Sequence, residues 1–142
     1  MTDIVQQKPT YIGYDFFTYE VDFPLIAPAA SQSASFTIQA EADFLLSKLT
    51  MTADIAGAAI TSSSAPIPLC TLLIQDTGSG RQLSNVPVPL SNMFGSGQLP
   101  FILPRQRVFL ARSVVNLTLL NFSAATTYNI KLSFVGEKAF RG

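Results

Sequence analysis

The sequence contains no histidine, no tryptophan and only one cysteine among its 142 residues. Without histidine, the chain lacks the base of Ser-His-Asp and Cys-His catalysis and the most common metal ligand in proteins. A single cysteine forms no intrachain disulfide, and without histidine it does not complete a usual zinc site. We therefore expect no metal, no cofactor and no conventional enzymatic activity, and we expect Cys70 to be a small buried hydrophobic residue.

Charge is also scarce. Charged residues make up 13% of the chain, against about 25% in an ordinary soluble domain. Hydrophobic residues reach 48%, and nine basic residues balance nine acidic ones. A charge-poor surface with no net charge favours association with other proteins. The absence of a basic excess argues against nucleic acid as a partner.

Long apolar runs are missing as well. No run approaches the roughly 20 residues that a membrane-spanning helix needs. The first residues lack the basic start and apolar stretch of a signal peptide. We therefore expect synthesis in a host cytoplasm and no membrane partner.

What the sequence does contain is a pattern of alternating apolar and polar residues. In residues 16–23, Phe17, Tyr19, Val21 and Phe23 alternate with polar side chains, which predicts a strand with one solvent-facing side. Similar signals predict further strands over residues 33–40, 43–56, 69–75, 107–111, 113–121 and 127–135.

The start of the segment 43–56 is ambiguous, because residues 40–46 could open a short helix. The even spacing of apolar residues after that point favours one long strand, with Ser47 interrupting the pattern. The predicted core side of this strand consists of Leu45, Leu49, Met51, Ala53 and Ile55.

The connections are marked by glycine and proline. Residues 58–67 are predicted to form a loop, and Asp76–Arg81 is predicted to form a turn because of its aspartate and its glycines. Residues 82–104 contain too many prolines for a central strand. We expect this segment to be an ordered excursion with one short edge strand.

About eight strands at a spacing of about 8–12 residues predict a single all-β sandwich with a jelly-roll or Greek-key-like topology. The order of the strands is left open. Residues 1–15 lack the alternation and are predicted to form an extended N-terminal arm, which places the sandwich domain at residues 16–142.

Six residues are candidates for a protein interface. Arg105, Arg107 and Arg112 surround a predicted strand start shortly after Phe101, and arginine beside apolar residues is typical of interface hot spots. The alternative is that these arginines are simply solvated. Aromatic side chains on the predicted arm could pack on their own domain or on a neighbour, and these candidates are Tyr11 and Tyr14.

Two pairs of carboxylates leave a hydrolase open as an alternative. Glu20 with Asp22, and Glu41 with Asp43, each share one strand face at a spacing of two residues. Glycoside hydrolysis uses a carboxylate pair. The simpler interpretation is a solvated strand face, and the chain has no tryptophan to stack on a sugar.

The second half of the chain resembles a known family. The resemblance is carried by Asp-Thr-Gly-Ser-Gly-Arg (76–81), Val-Pro-Val-Pro (86–89), Met-Phe-Gly-Ser-Gly (93–97), Leu-Pro-Arg (103–105) and the final strand from Tyr128 to Gly136. In style and arrangement these segments are similar to the head decoration, minor capsid or cement proteins of tailed bacteriophages.

This resemblance implies a jelly-roll-like sandwich on the outer capsid surface of a virion. It implies a homotrimer that binds the major capsid protein and stabilises the shell, with no small-molecule substrate. The alternative that we keep is a carbohydrate-binding β-sandwich module of a virion fibre or host-attachment protein.

Overall fold

The structure is a computed structural model that describes residues 10–56 and 67–142. Two antiparallel sheets pack face to face, and the predicted all-β sandwich is confirmed. The elements in chain order are β1 (Tyr11–Ile26), β2 (Ser31–Thr37), β3 (Asp43–Ile55), β4 (Cys70–Asp76), β5 (Arg81–Gln82), β6 (Val88–Pro89), α1 (Leu90–Met93), β7 (Phe101–Phe109), β8 (Val114–Asn121) and β9 (Tyr128–Arg141).

The strand pairing is nested. Sheet A has the order β1-β9-β3-β7, and sheet B has the order β2-β8-β4-β5 with β6 also paired to β4. The first strand therefore pairs with the last, β2 pairs with β8, β3 pairs with β7, and β4 pairs with the short strands that follow it. A long hairpin folded over on itself in this way is a jelly roll.

The core lies between the two sheets and consists of the apolar side chains that alternate along each strand. On β1, Tyr19, Val21 and Phe23 are buried, as the alternation predicts, and the intervening residues are exposed. Aromatic rings fill much of the space, including Phe44 and Phe109, which stack with their centroids 6.5 Å apart. Cys70 is fully buried in this core, as predicted.

The prediction of an N-terminal arm over residues 1–15 is wrong from Tyr11 onward, because the chain is already part of a strand there. Residues 1–9 lie outside the described residues, but from Tyr11 onward the chain is part of β1 and pairs with β9 as far as Arg141. This end of β1 lacks alternation because backbone hydrogen bonds to β9, rather than burial of one face, hold it in place. The register also shifts between Tyr11 and Gly13, where β1 carries one extra residue.

The predicted long strand over residues 43–56 is confirmed, but its predicted core face is wrong at one end. Ser47 lies in a β-bulge, and its hydroxyl donates a hydrogen bond to the carbonyl of Val135. A bulge reverses which side chains point inward. Leu46 and Leu49 therefore both belong to the core, whereas Leu45 lies on the outer face of sheet A.

The strand β7 begins six residues earlier than the predicted start at residue 107. It contains Pro104, and an edge strand tolerates proline because one row of its backbone groups is unpaired. The pairing with β3 jumps from Arg107 opposite Leu46 to Ile102 opposite Lys48. Four residues of β7 therefore have only Ser47 opposite them, and this part of β7 bulges outward.

The remaining boundaries agree closely with prediction or fall outside the described chain. The strands β4 and β8 each start one residue later than predicted, β2 lies slightly earlier, and β9 extends beyond residue 135. The predicted turn at Asp76–Arg81 joins β4 to β5, and Gly80 there has a φ of 69°. Residues 58–66 of the predicted loop are outside the described residues.

Candidate protein-interface site

Three of the predicted interface residues line one groove. Phe101, Arg105 and Arg107 form one wall of a cavity of about 430 Å³ between β7 and the segment that carries β6 and α1. Apolar side chains contribute most of the remaining surface, and these are Leu49, Leu83, Val88, Met93 and Leu103. The groove thus combines an apolar surface with two guanidinium groups.

The bulge of β7 determines how the arginines are presented. Arg105 lies within the unpaired stretch and is exposed. Arg107 is half-buried, with its guanidinium 5.9 Å from the centre of the Phe109 ring. Its Nε is buried without a hydrogen-bond acceptor among the described residues. A guanidinium in this position offers a planar donor set suited to a carboxylate.

Arg112 lies apart from the groove, in the turn between β7 and β8. Its φ of 69° is in the left-handed region, which is uncommon for a residue other than glycine. Its backbone N–H donates a 2.9 Å hydrogen bond to the carbonyl of Ile38. This bond ties the turn to the end of β2, while the Arg112 side chain is exposed.

The two predicted tyrosines lie at the other edge of sheet A. The hydroxyl of Tyr11 donates a 2.9 Å hydrogen bond to Oδ2 of the buried Asp43. Partial burial, followed by the hydrogen bond and the negative charge of Asp43, raises the pKa of Tyr11 to about 12. Tyr11 therefore packs on its own domain. Tyr14 contacts it edge to face and remains 54% exposed.

Asp43 organises this end of the molecule. Besides Tyr11, its carboxylate accepts hydrogen bonds from the backbone N–H of Ala111 at 2.8 Å and from Nε of Arg141 at 3.0 Å. These three donors come from β1, from the turn after β7 and from β9. One buried carboxylate thus ties three separate parts of the chain together.

The outer face of sheet A carries an apolar surface that sequence reasoning missed. The register places Phe16, Glu137, Leu45 and Val108 in one row across the four strands. Phe16 is 75% exposed and Val108 is 42% exposed. Together with their neighbours in adjacent rows, the apolar side chains of this face form what we call the apolar band: Tyr14, Phe16, Leu45, Ile102, Val108 and Val135.

A signal for the band was present in the sequence. Phe16 has the same parity as the polar residues Thr18, Glu20 and Asp22, and this parity alone places an aromatic side chain on the solvent side of β1. The other members could not be grouped with it, because their alignment depends on the strand order and on the bulge at Ser47.

The other half of the same face is polar, and the two glutamates of the carboxylate pairs considered for hydrolysis already have partners. Glu20 accepts a 2.7 Å hydrogen bond from the hydroxyl of Ser133. Near the opposite end of the sheet, Glu41 forms an ion pair with Lys138. Within residues 10–56 and 67–142, no group of three or more histidine, cysteine, aspartate or glutamate side chains is placed to hold a metal ion.

The outer face of sheet B is polar but uncharged. A shallow cavity of about 410 Å³ there is lined by hydroxyl and amide side chains from β2, β4 and β8. These side chains are Ser33, Ser35, Gln75, Asn116 and Thr118. The two outer faces of the sandwich therefore differ in chemistry.

In the described part of the chain, no helix has the length and apolar character needed to cross a membrane. Comparison of the sequence with protein-family models and with curated proteins, and of the structure with solved structures, finds no match.

Proposed function

We propose that this chain is a structural protein of a bacteriophage virion, which binds the outside of the capsid as a homotrimeric decoration (cement) protein and stabilises the shell. The observation that carries the proposal is the apolar band on the outer face of sheet A. The sequence resemblance and the nested jelly-roll pairing support it. The proposed role is binding to the major capsid protein without catalysis.

The band has the physical properties of a protein-binding surface. Phe16 and Tyr14 project from a sheet in which backbone hydrogen bonds hold the strands, so little order has to be gained on binding. An aromatic side chain buries about 150–250 Å² when it is covered completely. Exposed apolar side chains grouped on one face are typical of an interaction site, and here they alternate across the strands with the charged residues Glu137 and Lys48. The polar half of the sheet would orient the contact.

Such binding stabilises a shell by mass action. A protein that binds assembled capsid subunits but not separate ones lowers the free energy of the assembled state. A trimer that holds three sites at once gains further from multivalency, because the second and third contacts are intramolecular. No chemical step is needed.

The test is binding to phage heads that lack the protein. Purified chain is mixed with heads of the phage that encodes it, the heads are pelleted, and the bound chain is quantified. We expect saturable binding at a fixed ratio to the capsid subunit. Phe16→Asp should reduce the affinity at least tenfold, since it places a charge in the contact, whereas Ser33→Asp on sheet B should leave the affinity unchanged.

Heads that take up none of the wild-type chain would refute the proposal. Equal binding by the wild type and Phe16→Asp would refute the assignment of the band as the contact surface. The thermal unfolding of each variant is measured in parallel, so that a loss of fold is not mistaken for a loss of affinity.

The alternative function, carbohydrate binding, is favoured by one observation, the uncharged outer face of sheet B. Hydroxyl and amide groups both donate and accept hydrogen bonds, as sugar hydroxyls require. The exposed aromatics Tyr14 and Phe16 lie on the other sheet, away from that cavity. Binding of the chain to a glycan array distinguishes the two functions. A specific signal that is lost in the Asn116→Ala variant would support carbohydrate binding over capsid binding.

A further inference from the structure

The two edge strands of sheet A carry charges of opposite sign. The strand β1 contains Asp15, Glu20 and Asp22 and no lysine or arginine, and all three carboxylates are on exposed residues. The strand β7, at the far side of the same sheet, contains Arg105 and Arg107 and no acidic residue. Each edge strand therefore carries charges of one sign only.

Neighbouring elements extend the basic edge. Arg81 on β5 lines a cavity together with Arg107, and Arg107 shares the groove with Arg105. We call these three arginines the basic edge. Among the described residues, none of them lies within 4.0 Å of a carboxylate oxygen. The carboxylate of Asp76 lines the same cavity as Arg81, but the residue is 2% exposed and accepts hydrogen bonds within its own turn.

The acidic edge is less uniform. Lys131 on β9 lies opposite Asp22 in the strand register and offsets part of its charge. Lys138 lies opposite Asp15, but its ammonium is held by Glu41. The edge nevertheless retains a net negative charge, because three carboxylates on β1 face one lysine that is not already paired.

Exposed edge strands present unpaired backbone groups, and natural proteins discourage pairing there with charge. On this sheet, charge opposes contact between two β1 strands and between two β7 strands, because like charges would meet. Contact between β1 of one molecule and β7 of another brings opposite charges together. Each edge strand also carries an exposed apolar side chain: Ile12 on β1 is 74% exposed, and Ile102 on β7 is 64% exposed.

We propose that copies of this chain associate head to tail, with the acidic β1 edge of one copy against the basic edge and groove of the next. The carboxylates of β1 would accept hydrogen bonds from the guanidinium groups of the basic edge. Because β1 and β7 are the opposite edge strands of sheet A, each copy offers both halves of the contact. Such a heterologous contact closes into a ring when the rotation between copies permits it. The inference rests on the proposed function and names the surfaces that join the subunits.

Self-association is measured by light scattering over a concentration series of the full chain. The wild type should associate, and its association should weaken as salt rises to about 0.5 M, because screening acts on exposed charges. The charge-reversed variants Glu20→Lys/Asp22→Lys and Arg81→Glu/Arg105→Glu should each raise the midpoint concentration at least tenfold. The control is Ser33→Glu/Thr118→Glu on sheet B, which also alters two side chains and places two new carboxylates away from both edges.

The decisive variant combines all four edge substitutions in one chain. It exchanges the signs of the two edges, so head-to-tail contact becomes favourable again and association should return toward the wild-type midpoint. Contacts between identical edges would remain repulsive in this variant.

A wild type that is monomeric at every concentration would overturn the inference. It would also be overturned if neither charge reversal weakened association, or if the combined variant did not regain it. If a variant does not fold, the salt dependence of the wild type decides, and salt-independent association counts against the proposal. Capsid binding is measured separately by pelleting. A chain that binds heads but does not self-associate refutes the head-to-tail contact alone, whereas one that self-associates but does not bind heads refutes the decoration role alone.

Discussion

Replacing Gly136 by alanine should destabilise the protein strongly. Gly136 lies at the centre of sheet A, in β9, opposite Leu46 and beside the bulge at Ser47. An added Cβ would lie 2.9 Å from the carbonyl carbon of Leu45, 3.1 Å from Cα of Leu46, and closer still to the carbonyl oxygen of Leu45. Carbon atoms normally approach to about 3.5–4.0 Å. The obstacle is backbone, which cannot move aside as a flexible side chain does.

Overpacking of this kind costs about 3 kcal/mol, the upper part of the usual range, because β3 must shift and strain its pairing with β9. For a chain of this size, that loss lowers Tm by roughly 10 °C. The control is Gly13→Ala on β1, where an added Cβ meets no atom within 4 Å. There we expect no loss, or a gain of about 0.5 kcal/mol from reduced freedom of the unfolded chain.

Both variants and the wild type are compared by thermal and urea unfolding at one protein concentration, because association makes Tm depend on concentration. The reasoning is refuted if Gly136→Ala melts within about 2 °C of the wild type, where the size scaling predicts roughly 10 °C. It is equally refuted if Gly13→Ala loses as much stability as Gly136→Ala.

Four further predictions concern buried and partly buried side chains. Asn121 donates to two backbone carbonyls, at 3.0 and 2.8 Å, and accepts two bonds from Ser123. Asn121→Ala should therefore cost about 3 kcal/mol in urea unfolding, and a loss below that of an exposed Asn116→Ala control would contradict this. Asp43→Ala should lower the pKa of Tyr11 from about 12 toward 10.0, because it removes the hydrogen-bond acceptor and the negative charge beside the phenol. The titration is measured by tyrosinate absorbance, and a titration identical to that of the wild type would exclude the proposed coupling. Burial raises the pKa of Cys70 from 9.0 to about 11, so its thiol should resist alkylation until urea unfolds the chain. Because the folded state keeps the protons of Cys70 and Tyr11 that the unfolded state releases, the stability that these groups contribute is fully present below pH 9.0 and is lost as the pH rises to about 12. A urea midpoint that does not fall over this range would disprove the last point.

Several features could be predicted from short stretches of sequence, because they depend only on residues that are neighbours along the chain. The buried side chains of β1 (Tyr19, Val21 and Phe23), the long strand β3 and the turn at Asp76–Arg81 all follow from alternation or from turn chemistry. The groove was partly predictable as well. A cluster of arginine and aromatic residues is a chemical pattern within one short segment, and Phe101, Arg105 and Arg107 do line one cavity.

The sequence by itself determined the all-β class, the apolar faces of the strands and the absence of histidine chemistry, since these depend on composition and on neighbours along the chain. Only the tertiary structure decided the nested pairing, the reversal of faces at Ser47, and the separation of Tyr11 and Tyr14 from the arginines of the groove. It also decided that Phe16 and Val108 share one face and that acidic and basic edges bound one sheet. Strand partners lie far apart in sequence, and pairing depends on how two whole strands fit together, which no local pattern encodes.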